Sequence, residues 1–320
     1  MNDIGGYFEL ELSNGGNHYH DTPCKMKSGR SALHYIFTVV KPTLVYVPYY
    51  TCDSLLEPFK VANINYEFYG INENLEPVND IDLKEGEYLV YVNYMDMKRD
   101  TVSWLSEKYR DKLIVDGTQA FFMKGNGVSW FFNSCRKFFG VPDGAYLYPP
   151  SGVDVQQPEV QNEAYITDHL LKRFNGHTND GYKFFQENET LADCQLTGMS
   201  KLSEQLLSVA DYGLVIEKRL EHFNYLHDRL KHYNHFRLSQ FAGNVPMCYP
   251  LLPDKSIDKG LLHAQHIFVP AFWQDVIGRG ADGFDFEKNL SKMLLPLPID
   301  HRYSLADMEF IVSSVTKIIL

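Results

Sequence analysis

Leu113-Ile114-Val115-Asp116-Gly117-Thr118-Gln119-Ala120 joins a short apolar run directly to an acidic turn. Three branched apolar residues suit a buried strand, and the glycine that follows ends it. A carboxylate at such a point either caps the loop or answers a buried cation. Working outward, runs of the same kind recur at residues 43–47 (TLVYV, closed by Pro48), 88–92 (YLVYV), 131–132 and 145–148. Segments of helical spacing lie between them. In residues 31–40 (SALHYIFTVV), Ala32, Leu33, Ile36 and Phe37 share one face. Residues 49–59 (YYTCDSLLEPF) offer Thr51 or Asp53 as an N-cap, and residues 101–111 (TVSWLSEKYRD) form the next helix candidate. Strand–loop–helix units in succession predict an α/β fold, with a mostly parallel sheet between helices.

After Pro149-Pro150 the character changes. Residues 152–164 are polar and should cross the surface, while residues 202–233 carry one long helical pattern. Short strands are expected at 266–269 and 293–295, with a closing amphipathic helix at 305–319. The resulting division is a large domain over 1–205 and a smaller α+β domain over 206–320.

The 320 residues are 44% hydrophobic and 22% charged, enough for a sizeable core. A formal net charge of −11 argues against a nucleic-acid or anionic-membrane surface, since both need clustered cations. The N-terminus has acidic residues and glycines where a secretory leader needs cations and an apolar run. Cys24, Cys52, Cys135, Cys194 and Cys248 are scattered, with no metal spacing and no disulfide framework. His18 and His20 lack a third ligand. The expectation is a soluble, cytoplasmic protein without a metal. No nucleophile-elbow or dinucleotide fingerprint is present.

In open parallel sheets, ligands bind beyond the carboxyl ends of the strands, where the polar residues here accumulate. Gly29-Arg30-Ser31 opens the first helix, whose free N–H groups and dipole favour an anion. Asp116 could face a cation, with Gln119 three residues on. Lys137 lies shortly after the Phe131-Phe132 strand, with Ser134 three residues before it. Desolvation by Phe138 and Phe139, and repulsion by Arg136, would both favour the neutral, nucleophilic amine. Each feature alone suits an ordinary capped helix, loop carboxylate or surface lysine; Lys137 alone would rank no higher than Lys124.

Their order, SGRSAL, VPYYTCDS, VDGTQAFF, SCRKFFGVPDGAYLY and LPIDHRYSLADM, resembles the DegT/DnrJ/EryC1/StrS family over nearly the whole chain. These are fold-type-I pyridoxal-phosphate enzymes that mostly aminate nucleotide-linked keto-sugars. The resemblance implies Lys137 as the Schiff-base lysine, Asp116 as partner of the ring nitrogen and Gln119 near the phenolic oxygen. Gly29, Arg30, Ser31 and Ser134 would hold the phosphate. The family's ring-stacking aromatic falls at Cys52, so Tyr50 or the sulfur would cover the ring. Asn93 stands where that family has an active-site loop. The implied activity is transamination from glutamate to a keto-sugar nucleotide by a homodimer, with segment 176–201, Arg219 or Asn224 reaching the partner's site. A non-transaminating pyridoxal-phosphate-binding protein of a glycan-synthesis cluster, or a lyase, are the alternatives.

Overall fold

The computed structural model describes residues 10–13, 16–22, 24–160, 165–191, 193–238 and 243–320. The N-terminal residues 1–9 and residues 161–164 of the polar crossing lie outside the described residues. In chain order come β1 (Cys24–Met26), α1 (Gly29–Val40), β2 (Leu44–Pro48), α2 (Glu57–Ala62), β3 (Tyr66–Tyr69), β4 (Glu87–Val92) and α3 (Arg99–Tyr109). Next are β5 (Leu113–Gly117), β6 (Trp130–Asn133), β7 (Ala145–Tyr148), α4 (Asp168–Phe174), α5 (Thr178–Leu191), α6 (Lys201–Ser208) and α7 (Tyr212–Leu230). β8 (Cys248–Leu251), α8 (Lys259–His263), α9 (Gln274–Gly278), α10 (Asp285–Met293), β9 (Leu295–Pro298) and α11 (Leu305–Ile319) complete the chain.

The main sheet has the order β1-β7-β6-β5-β4-β2-β3. β2 to β6 pair in parallel, whereas β7 runs against both β6 and β1. The α/β architecture with a mostly parallel sheet is therefore the one expected. Period-two burial explains its layers. Val45, Val47, Val90 and Ile114 pack with α1 and α2 on one face. Leu89, Tyr91, Leu113 and Val115 belong to a cluster on the other face that continues into Leu226, Leu251, Leu297 and Ile311. One apolar core thus runs from the sheet into the C-terminal third, where β8 and β9 pair antiparallel.

Several expectations are corrected. The long helix over 202–233 is two: α6 ends at Ser208, and Asp211 caps α7 by accepting from Leu214 N at 3.0 Å. Asp competes for backbone donors inside a helix and favours its start, so the break falls there. Residues 266–269 form no strand; the residues before β9, Met293 included, end α10. Neither Thr51 nor Asp53 caps α2, which follows a single 3-10 turn and has Pro58 in its first turn. The helical hairpin α4–α5 falls in a stretch to which the sequence assigned no element.

Candidate active site

Adjacent parallel strands end at one place. Asp116 is the fourth residue of β5 and pairs across with Phe132 of β6, whose chain turns at Ser134 into a 3-10 turn, Cys135–Lys137. The close approach needs Gly117, where a Cβ would lie 2.2 Å from Phe131 Cε2. Gly29 opens α1 against the same strand ends; a Cβ there would lie 3.1 Å from Thr118 Cγ2. Gly29, Arg30, Cys52, Asp116, Ser134 and Lys137 all line one cavity of about 810 Å³. Six of the ten sequence-selected residues therefore meet.

Asp116 is 4% exposed and has no cationic partner within 4.0 Å among the described residues. Its Oδ1 accepts from Thr118 N at 2.8 Å. Burial raises its pKa, opposed by the bonds from Thr118 and by the charge of Lys137. Cys52 senses both Lys137 and Asp116, although burial is the main reason its thiol is raised. Lys124, the rival lysine, is elsewhere: it pairs with Asp21 and lies 5.5 Å from the Tyr19 ring centroid. Lys137 is exposed to the cavity, not desolvated as expected. Its neighbours line the cavity too but are engaged elsewhere: Phe138 lies under Arg219, and Phe139 packs against Phe121 and Tyr212.

Four selected residues do not line the cavity. Tyr50 is buried with its hydroxyl donating to Phe272 O at 2.9 Å, so of the two ring-cover candidates only Cys52 reaches the space. Ser31 donates to Asp193 O at 3.1 Å from inside the first turn of α1. Asn93 is fully buried and ties its own turn, accepting from Lys98 N and donating to Asp96. Gln119 accepts from Met95 N at 2.9 Å, leaving Nε2 buried without a partner.

Arg30 reaches the cavity but is engaged: Nη1 donates to Glu57 at 2.7 Å and Nη2 to the Glu189 carbonyl at 2.9 Å. Arg136 pairs with the Glu189 side chain. Glu189 belongs to the 176–201 segment expected to reach a partner's site; here it lines the chain's own cavity. Asn224 is exposed on α7 and does not line the cavity. The opposite wall, Cys248, Phe272, Trp273, His301 and Arg302, was missed. Its signal was present: Asp300-His301-Arg302 follows an apolar strand just as Asp116 does.

Comparison of the fold supplies the rest. A DegT/DnrJ/EryC1/StrS aminotransferase from Brucella abortus superposes with a TM-score of 0.62 at 14% identity, covering 92% of this chain and 85% of that one. The chain has the fold of these aminotransferases. DesV from S. venezuelae, solved with a ketimine intermediate, gives a TM-score of 0.63 at 15% identity over 92% of this chain and 84% of that one. A Streptococcus pneumoniae protein in its PLP form gives 0.65 at 11% identity, covering 92% and 86%. No protein-family model matches the chain, and neither does any curated protein.

Proposed function

We propose that the protein is a pyridoxal-phosphate-dependent aminotransferase that moves an amino group from glutamate to a keto-sugar nucleotide or related keto compound. The carrying observation is the meeting of Asp116 and Lys137 at the ends of adjacent parallel strands in one cavity. The cofactor fits what is there: a buried carboxylate with no cation within 4.0 Å among the described residues, a lysine open to the space and the start of α1, where the Ser28 hydroxyl caps Ser31 N and Gly29 and Arg30 line the cavity. When bound, pyridoxal phosphate supplies an electron sink that makes the α-proton of an attached amine removable.

Asp116 would hold the charge of a protonated ring nitrogen, offsetting the cost of its own burial. Lys137 Nζ would attach to the cofactor and then take up and return the migrating proton. The Ser134 hydroxyl, Arg30 and the first N–H groups of α1 would hold the phosphate. Cys52 would cover the ring. The same proposal takes residues 1–205 as the cofactor-binding domain and 206–320 as the smaller one, in a cytoplasmic homodimer. The net charge of −11 speaks against a polyanionic partner.

Purified protein with pyridoxal phosphate should turn yellow, and borohydride should fix the cofactor to the Lys137 peptide. L-glutamate should bleach the colour before reduction. Labelling at Lys124, or no colour, would overturn the assignment. Colour that L-glutamate leaves untouched would favour a binding protein that does not transaminate, consistent with the internal pairing of Arg30 and Arg136.

A further inference from the structure

The α4–α5 hairpin is held to the rest of the protein by few ties. α4 buries none of its residues, and α5 buries only Gly181 and Asn188. Gly181 serves the hairpin itself, since a Cβ there would lie 3.3 Å from His169 O of α4. The two helices therefore pack as one unit. Among the described residues, hydrogen bonds from this unit to the body involve Asn188 and Glu189 alone. Asn188 Nδ2 donates to Pro142 O at 2.8 Å, and its Oδ1 accepts from Ile166 N just ahead of α4. Glu189 receives Arg136 on its carboxylate and Arg30 Nη2 on its carbonyl at 2.9 Å; the same Nη2 lies 3.8 Å from the carboxylate.

The chain beyond the hairpin is fixed. The Ser28 and Ser31 hydroxyls donate to Asp193 O at 3.0 and 3.1 Å, and Lys27 N donates to Thr197 O at 2.9 Å. On its inner side the hairpin forms a wall of the Lys137 cavity through His169, Leu170, Arg173, Phe185 and Glu189. Its tip, from Gly176 to Asp180, lines a second cavity of about 880 Å³, which shares Arg173, Asp300 and Arg302 with the first. A wall with almost no buried apolar surface, resting on one ion-pair cluster, is a low-stability element of the kind that opens locally.

We propose that the α4–α5 hairpin is a lid latched by Glu189 on Arg30 and Arg136, and that a phosphate-type anion arriving at those arginines unlatches it. A ligand shifts a conformational equilibrium only by its differential affinity for the two states. Here the difference is direct, since the anion and the Glu189 carboxylate need the same guanidiniums. A phosphate monoester brings a charge of about −1.5 to −2 and three acceptor oxygens against one half-exposed carboxylate. Arg30 keeps its bond to Glu57 at 2.7 Å in either state, so the guanidinium stays in place while the carboxylate leaves. The empty site is then closed, and the loaded site is open towards the second cavity. The aminotransferase proposal serves only to name the anion as the cofactor's phosphate; the latch does not depend on it.

Hydrogen exchange of the hairpin, read by mass spectrometry on the full chain, tests this without turnover. Glu189→Gln keeps the shape and removes the charge, so exchange across 168–189 should speed about fivefold, the effect of one half-exposed ion pair. Lys183→Gln breaks the exposed Lys183–Glu187 pair on the same helix and should leave that exchange unchanged. Saturating inorganic phosphate should speed the wild-type hairpin as the variant does, whereas sodium chloride of equal ionic strength should not. Pyridoxal phosphate should act as phosphate does, and pyridoxal should not. Wild-type exchange in Glu189→Gln, or a matching rise in Lys183→Gln, would overturn the latch. Unchanged or slower exchange with phosphate, or an equal effect of chloride, would overturn release by an anion. A protein that takes up no pyridoxal phosphate sinks the aminotransferase proposal, and the Glu189→Gln comparison still decides the lid.

Discussion

Arg30 and Arg136, at the start of α1 and in the turn after β6, converge on a single residue of α5, Glu189. Both guanidiniums line the cavity where an anion is expected, and a carboxylate of the chain itself already sits against them. Glu189 is half-exposed, whereas the two arginines are largely covered. An incoming phosphate would compete with this carboxylate.

Glu189→Gln should therefore bind pyridoxal phosphate more tightly. An ion pair of this exposure contributes up to about 1 kcal/mol, so a gain of about fivefold is expected in an absorbance titration. Unchanged or weaker binding would show that Glu189 positions the arginines instead of competing.

Asp116 is raised by burial, so the folded state holds its proton more tightly than the unfolded chain does. That contribution to stability is fully present below the unfolded carboxylate range. It is lost as pH rises through the raised folded value. Asp116→Asn should then raise the Tm of the cofactor-free protein near pH 7 by a few degrees and flatten its pH dependence. It should also remove the stabilisation by pyridoxal phosphate. Scanning calorimetry with and without cofactor checks both; a lower Tm without cofactor would count against it.

His20 donates from Nε2 to Phe121 O at 2.7 Å, so Nδ1 accepts from the Tyr148 hydroxyl at 2.8 Å in a neutral ring. Burial lowers its pKa from 6.5 to about 3. The unfolded state binds the extra proton between those values, so stability present above pH 6.5 falls as pH drops towards 3. The slope from this group is at most about 1.4 kcal/mol per pH unit. Denaturant titrations of His20→Gln should show a shallower acid slope than the wild type; parallel slopes would refute the assignment.

Gly117→Ala would place a methyl 2.2 Å from Phe131 Cε2 and 3.0 Å from Phe132 O. With both rings buried, relief requires moving β6 against β5, at about 1–3 kcal/mol. Urea unfolding should register that loss, and weaker cofactor binding should accompany it, because Asp116 is the preceding residue.

Arg279 clamps the loop that carries Cys52. It donates to Tyr49 O at 2.5 Å, Thr51 O at 2.7 Å and Asp53 Oδ1 at 2.6 Å. Arg279→Gln should cost about 1.5–3 kcal/mol, the range of one charge-assisted hydrogen bond, and weaken cofactor binding. Full retention of both would show that the loop needs no clamp.

Short continuous apolar runs alternating with segments of helical spacing made the sheet legible from sequence, because burial on both faces leaves β4 and β5 largely apolar. The helical hairpin was illegible for the opposite reason: Leu171, Phe174 and Tyr182 are exposed, so no buried face marks α4 and α5. Asp116, Lys137 and Gly29, each unremarkable alone and singled out by their order along the chain, do line one cavity, because strand ends and a helix start converge there. Asn93 and Gln119 do not line that cavity, because their side chains turn to nearby backbone, a choice that only tertiary packing decides. Arg219 was assigned outward, since a helix pattern gives no sign of which charged residue will be buried.

The two walls of the cavity come from different stretches of chain. The floor is fixed by strand ends within one pleated sheet, while the roof comes from loops around β8, β9 and residues 270–273. Floor residues are constrained by register, and a change there disturbs neighbouring strands. Roof residues are free of strand register, although Met247 and Trp273 also pack against the core. If the cavity serves the proposed transamination, exchange of the His301 side chain would alter which acceptor fits while Asp116 and Lys137 stay untouched. A saturation library at His301 would sample new acceptors at less risk to folding than one at Met247 or Trp273, which the core also holds.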